Sequence, residues 1–153
     1  MTMAFTQKKQ IYLATSFLLV GSAIYILFRP TSLLMFNWAD ALGLMIPIHA
    51  LRMHCLSVTN FLPSWFIYSF PFALWVVAYL FFVKAIWWQS ASPWRYLWFW
   101  CVPLVSVTAE ICQYHGLIQG TFDPVDILII ILCTAFSLSM DSLCTTNLIR
   151  KIK

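Results

Sequence analysis

Residues 65–83 read WFIYSFPFALWVVAYLFFV, nineteen positions without a charged side chain. As an α-helix rising 1.5 Å per residue the run is about 28 Å long, close to the ~30 Å hydrocarbon core of a bilayer. In lipid the backbone must satisfy its own polar groups, and a helix does so within one segment. The stretch therefore reads as a membrane-spanning helix, and it sets the reading of everything around it.

Three further runs flank it. Residues 11–28 carry no charge over about 27 Å of helix. A third run extends from about Trp94 to Cys112, with Glu110 as its one acid, near the far end. The fourth opens near Pro124 and is uncharged from Ile127 to Met140, then reaches Asp141. Composition agrees: 62% of the 153 residues are hydrophobic and 9% charged, against roughly a quarter charged in soluble domains. A soluble fold this small would need more polar surface, and a disordered chain far fewer apolar side chains. No repeat or low-complexity linker divides the sequence. The expected fold class is all-α, a polytopic membrane helical bundle in one domain, 1–153. Its four transmembrane helices are expected at about 11–28, 65–83, 94–112 and 124–141.

Lys8 and Lys9 before the first run, with Gly21-Ser22-Ala23 inside it, invite comparison with a cleaved signal peptide. The apolar stretch continues to Phe28, past the usual 7–15 residues of such a segment, so an uncleaved anchor is expected. Four crossings place Lys8, Lys9, Lys84, Arg95, Arg150, Lys151 and Lys153 on one side of the membrane. Arg29 and Arg52 fall on the other. The excess of cations marks the cytoplasmic side, so both termini are expected there.

The outer loop 29–62 is punctuated by Pro30 and Pro47 and bounded by Pro63. Asp40 is a candidate N-cap for a helix starting at Ala41, which Pro47 would interrupt. The following stretch, Ile48 to His54, mixes polar and apolar residues at helical spacing. Arg52, His49 and His54 make a fifth crossing costly. Segment 41–58 is therefore expected to be an interfacial or re-entrant helix on the outer face.

That topology gathers polar residues at the outer end of the third and fourth spans. Glu110 and Gln113, three apart, share a helix face. Asp123-Pro124 is a helix-start signal, with Asp at N-cap and Pro at the first helical position. Asp126 then lies in the first turn, where an acid suits the helix dipole. Glu110 has no such explanation, because the C-terminal end of a helix disfavours negative charge. It must pair with a cation or with Gln113, or be protonated by desolvation, and an ionisable group at that depth is a functional candidate. Gly116 and Gly120 give the connecting loop its tight turns. Ligand-binding candidates are therefore Glu110, Gln113, His115, Asp123 and Asp126. Arg29 or Arg52 would neutralise the acids or grip a phosphate. For chemistry the candidates are Glu110 and Asp126.

Other features point elsewhere. His49 and His54, five apart, are poorly spaced for a shared metal ion. The five cysteines (Cys55, Cys101, Cys112, Cys133, Cys144) have no C-x-x-C spacing and lie mostly in apolar runs. No metal or cofactor is expected. Trp65, Trp87, Trp88, Trp94, Trp98 and Trp100 cluster near span ends, as aromatic belts do. With no basic stripe in a polar context, nucleic-acid binding has no support.

The stretches Glu110-x2-Gln113 and Gly120-Thr121-Phe122-Asp123-x2-Asp126, with Leu62-Pro63-Ser64-Trp65 opening the second span, resemble the VanZ-like family of small bacterial membrane proteins. The resemblance covers about residues 62–140. Gly120 stands about where that family commonly has an Arg, and Ile130 where it usually has an Asn. The family takes its name from an accessory protein of glycopeptide resistance that lowers susceptibility to teicoplanin. The resemblance implies a multi-pass protein of the bacterial inner membrane, with the cell envelope as its setting.

Two function classes remain. One is a binding protein whose outward-facing acidic cluster recognises an envelope glycolipid, another lipid-linked ligand or a membrane-protein partner. The other is a small membrane enzyme acting on a lipid or cell-wall precursor phosphate, with Glu110 and Asp126 as an acid–base pair or as ligands of a divalent metal. A carrier is disfavoured by the absence of a repeat. Nucleophilic catalysis is disfavoured because no Ser, Cys or Lys has an evident base partner. Recognition is the expected role.

Overall fold

The structure, a computed structural model, describes residues 2–59, 61–87 and 92–152; the side chains of 2–6, 56 and 141–152 lie outside that description. It is all-helical, with no strand among the described residues. The order is α1 (Thr2–Phe28), α2 (Leu34–Ala41), α3 (Met45–Thr59), α4 (Ser64–Tyr68), α5 (Phe70–Trp87), α6 (Trp94–Tyr114) and α7 (Pro124–Ile152).

Helix α5 is the centre, packed by α1, α6 and α7. One apolar cluster joins Val76, Leu80 and Val83 of α5 to Phe99 of α6, with Cys133 of α7 against it. A second joins Val77 and Phe81 to Ala14 of α1. Cross-helix contacts fix the directions. The Gln7 amide donates to the Ala85 carbonyl while Gly21 sits against Pro71 and Trp75, so α1 and α5 are antiparallel. Ser69 meets Asp126, Cys133 Sγ reaches the Ala73 carbonyl, and Lys84 Nζ donates to the Ser137 carbonyl. Both numberings rise together, so α5 and α7 are parallel.

Gly21 permits the tight α1–α5 approach. A Cβ there would lie 2.9 Å from Trp75 Nε1 and 3.1 Å from the Pro71 carbonyl oxygen. Ala14, seven residues earlier and so on the same face, is fully buried. Small residues at an interface let two backbones come close.

Among the described residues two helices are long and apolar enough to cross a membrane: Gln7–Phe28, with mean hydropathy 2.0, and Phe70–Trp87, at 1.8. Only 11% of the first is buried within the protein, against 56% of the second, so α1 is peripheral and α5 central. Pro124–Met140 is a shorter apolar stretch. Leu19 of α1, Leu104 and Val105 of α6 and Leu132 of α7 point outward and are more than half exposed.

The structure departs from the sequence reading in three places. Residues 65–83 form two helical segments, α4 and α5, that meet at a kink at Ser69, where the backbone stays near helical values and the Ser69 N–H still bonds the Trp65 carbonyl. Pro71 has no N–H to continue α4, and its ring would crowd the Ile67 carbonyl. The segment 41–58 becomes part of two helices, and Asp40 caps neither start. It lies in the last turn of α2, where its carbonyl accepts the Gly43 N–H. Pro47 falls in the first turn of α3, where its missing N–H costs nothing, so it does not interrupt that helix. Finally, Lys84 is not a loop cation. It is 1% exposed in the last turn of α5, with its ammonium near the Phe81 and Phe99 rings. Trp88 and the side chains of Asp141, Arg150, Lys151 and Lys153 lie outside the described residues.

Candidate functional site

The C-terminus of α6 is built to turn. Gly116 takes a φ of +67°; its N–H bonds the Gln113 carbonyl at 3.0 Å and the Leu117 N–H bonds the Cys112 carbonyl at 2.8 Å. That pair of bonds is the Schellman stop, which a glycine in the left-handed region makes without steric cost. The loop then returns across α6 so closely that a Cβ on Gly120 would lie 2.6 Å from Gln113 Nε2.

Helix α7 starts at the far side of this loop. Asp123 Oδ1 accepts the Val125 N–H at 2.9 Å, the N-cap bond the Asp-Pro pair requires. Glu110 Oε2 accepts the Asp123 N–H at 3.1 Å. The carboxylate that α6's own dipole disfavours is therefore seated at the N-terminus of α7, where the partial charge is positive. Glu110 is 9% exposed and ties the end of one helix to the start of the next.

Above this junction lies a cavity of about 680 Å³. Glu110 and Gln113 of α6 form one wall, Thr121, Asp123, Val125 and Asp126 another, and Arg29, just past the end of α1, faces them. Ser64, Trp65, Tyr68 and Ser69 complete it from α4 and the kink that follows. Arg29, Tyr68, Glu110 and Asp126 also line an adjoining chamber of about 270 Å³, whose remaining walls are Tyr25, Phe72 and Trp75. The polar mouth thus leads to an aromatic chamber.

Each charge in the cavity has a definite setting. The Arg29 guanidinium lies between two rings, 5.1 Å from the centroid of Tyr25 and 4.7 Å from that of Tyr68. Cation–π contact of this kind fixes a guanidinium without using its N–H donors. Its Nε is buried without a hydrogen-bond partner, and among the described residues no carboxylate forms an ion pair with it. Ser69 is the hydrogen-bonding neighbour of Asp126, yet Asp126 Oδ1 is buried without a partner.

Of the residues singled out from the sequence, Arg29, Glu110, Gln113, Asp123 and Asp126 share this cavity. His115 does not: it is exposed beyond the end of α6, edge-on to Tyr114. Arg52 does not either. It is 6% exposed in α3, and its guanidinium donates to the Ile26 carbonyl and to the Arg29 carbonyl at 2.8 Å. These are orphan carbonyls at the C-terminal end of α1, so Arg52 caps that helix. It holds the backbone from which the Arg29 side chain projects.

Sequence reasoning missed Tyr25, Tyr68, Ser69 and the cavity role of Trp65. Tyr25 carried a signal, since it lies four residues before Arg29 on the same helix face. Tyr68 and Ser69 were absorbed into an apolar run whose kink depends on Pro71. Among the described residues no group of three or more His, Cys, Asp and Glu is arranged to hold a metal ion. A separate, almost wholly apolar groove of about 290 Å³ follows the α6–α7 seam. It begins at Val107, one turn before Glu110, and at Ile130, one turn after Asp126. No family model, no curated protein and no solved structure matches the chain.

Proposed function

We propose that the chain is a multi-pass inner-membrane protein of VanZ-like type that recognises a lipid-linked envelope ligand at the outer leaflet. In this reading α1, α5, α6 and α7 all cross the bilayer, α2 and α3 lie on the outer side, and both termini are cytoplasmic. The charges support it. Lys84 and Arg95 lie at the end of the bundle where Gln7 meets Ala85. Arg29, Glu110 and Asp126 lie at the opposite end. The outward-facing Leu and Val side chains of α1, α6 and α7 suit a lipid surround better than water.

The observation that carries the functional reading is the cavity itself. One guanidinium and three carboxylates, brought from just past α1, from α6 and from the start of α7, line a space of about 680 Å³, within the ~300–1,000 Å³ of small-molecule sites. The apolar groove along α6 and α7 offers an acyl chain a place one turn away. Recognition is favoured over catalysis because Glu110, one of the two candidates for chemistry, already holds the Asp123 N–H, and the neighbouring Asp123 caps α7, which leaves Asp126 without a free carboxylate to share acid–base work.

Glu110→Gln tests this reading. The amide oxygen can still accept the Asp123 N–H, so the fold and membrane abundance should be retained, while ligand retention and any cellular phenotype fall because the cavity wall loses one negative charge. Loss of abundance in parallel would make Glu110 purely structural. A reporter fused after Lys153 should be active only in the cytoplasm, and periplasmic activity would overturn the orientation.

A further inference from the structure

We infer that the headgroup taken by this cavity is zwitterionic, an aminoalkyl phosphate whose primary ammonium meets Asp126 and whose phosphate meets Arg29. The inference rests on the membrane reading above and names the ligand class for the same site.

The argument is one of unmatched charges. Asp123 is committed to the Val125 N–H and Glu110 to the Asp123 N–H. Two groups remain. Arg29 is clamped between Tyr25 and Tyr68 with a buried, unpartnered Nε, and Asp126 has a buried, unpartnered Oδ1. Both line the mouth and the inner chamber; their charges attract one another across it, but among the described residues they form no contact ion pair. Both groups are partly withdrawn from water with a buried polar atom unpartnered, and a ligand that inserts an ammonium against Asp126 and a phosphate against Arg29 supplies both contacts at hydrogen-bonding distance.

The alternatives fit less well. A plain anion would satisfy Arg29 but would face Glu110, Asp123 and Asp126 across the same space. A plain cation would satisfy Asp126 and leave Arg29 unpaired. A guanidinium held by ring contacts spends no N–H donor on them, and phosphate matches the fork of donors that is left. Asp126 and the Ser69 hydroxyl present oxygen acceptors, so the cation should carry N–H donors. A primary ammonium does, and a trimethylammonium does not. Arg52, by capping α1 at Ile26 and Arg29, acts as a positioning residue for this grip.

The test is native mass spectrometry of the full chain in detergent with equimolar phosphatidylethanolamine, phosphatidylcholine and phosphatidylglycerol of identical acyl chains. Phosphatidylethanolamine should be retained about tenfold over either competitor, the factor that one well-made charged contact supplies. Asp126→Asn should bring it down to the phosphatidylcholine level. Arg29→Gln should lower all three lipids together, since each carries the phosphate. Ser69→Ala, which leaves every charge in place, is the milder second variant and should narrow the ethanolamine preference. Competition by free phosphoethanolamine as effective as that by the lipid would keep the headgroup chemistry and move its source to a soluble metabolite. Equal retention of the three lipids, or a preference for phosphatidylglycerol, would overturn the headgroup assignment and leave the lipid-binding reading standing. Wild-type protein that retains none of the lipids and no free phosphoethanolamine would overturn both.

Discussion

Replacing Gly21 by alanine adds one carbon to the closest approach between α1 and α5. That carbon would lie 2.9 Å from Trp75 Nε1, 3.0 Å from Trp75 Cδ1 and 3.1 Å from the Pro71 carbonyl oxygen. The indole has some freedom to turn, although it packs on Tyr25 at 5.1 Å between ring centroids. The carbonyl belongs to the backbone of α5, so relief there means moving a helix. Overpacking of this kind costs about 1–3 kcal/mol. Alanine returns about 1 kcal/mol through its better helix propensity, leaving a net loss of up to about 2 kcal/mol. For a chain of this size that corresponds to a fall in Tm of about 4–8 °C at the upper end of the range. Thermal unfolding in detergent, followed by circular dichroism, reads it directly. Gly21→Leu should be far worse, and Trp75→Leu combined with Gly21→Ala should recover only part of the loss, because the Pro71 contact persists. A Gly21→Ala protein with a Tm raised by the full propensity gain would show that propensity alone operates at this position, and that the two helices do not meet as described.

Other perturbations have equally definite outcomes. Asp123→Ala should lower stability by about 1 kcal/mol through loss of the α7 N-cap, and Asp123→Ser should restore most of it, measured as Tm in detergent. Arg52→Met removes two donors from the end of α1; with charged donors worth about 1.5–3 kcal/mol each, Tm should fall, and lipid retention should fall further as Arg29 loses its fixed origin. Gly120→Ala meets both a φ of +145° and the Gln113 side chain, so it should destabilise the α6–α7 loop. Limited proteolysis between residues 115 and 122 would register the change. His115→Ala, by contrast, should leave lipid retention and Tm unaltered, since His115 is exposed outside the cavity.

Much of this molecule is legible in one dimension. Charge-free runs of nearly twenty residues have no stable option in lipid except helix, and Asp123-Pro124 is a helix start in any context. The meeting of Glu110 with the opening of α7 follows from a short glycine-containing loop between two rods. The kink at Ser69 was hidden because its flanks are as apolar as the run itself. Which arginine would reach the acids was equally invisible: Arg29 and Arg52 read alike as outer-side cations. Their roles separate only when α3 folds against α1 and carries the Arg52 guanidinium onto the carbonyls of Ile26 and Arg29. Lys84 shows the same limit, since a cation at the end of an apolar run reads as a flank until α6 and α7 close over it. The reason is physical. In water, alternation of polar and apolar residues reveals which face of a helix is buried. A helix surrounded by apolar material on every side carries no such contrast, so its partners are chosen by shape, close approach and the few hydrogen bonds that cross between helices.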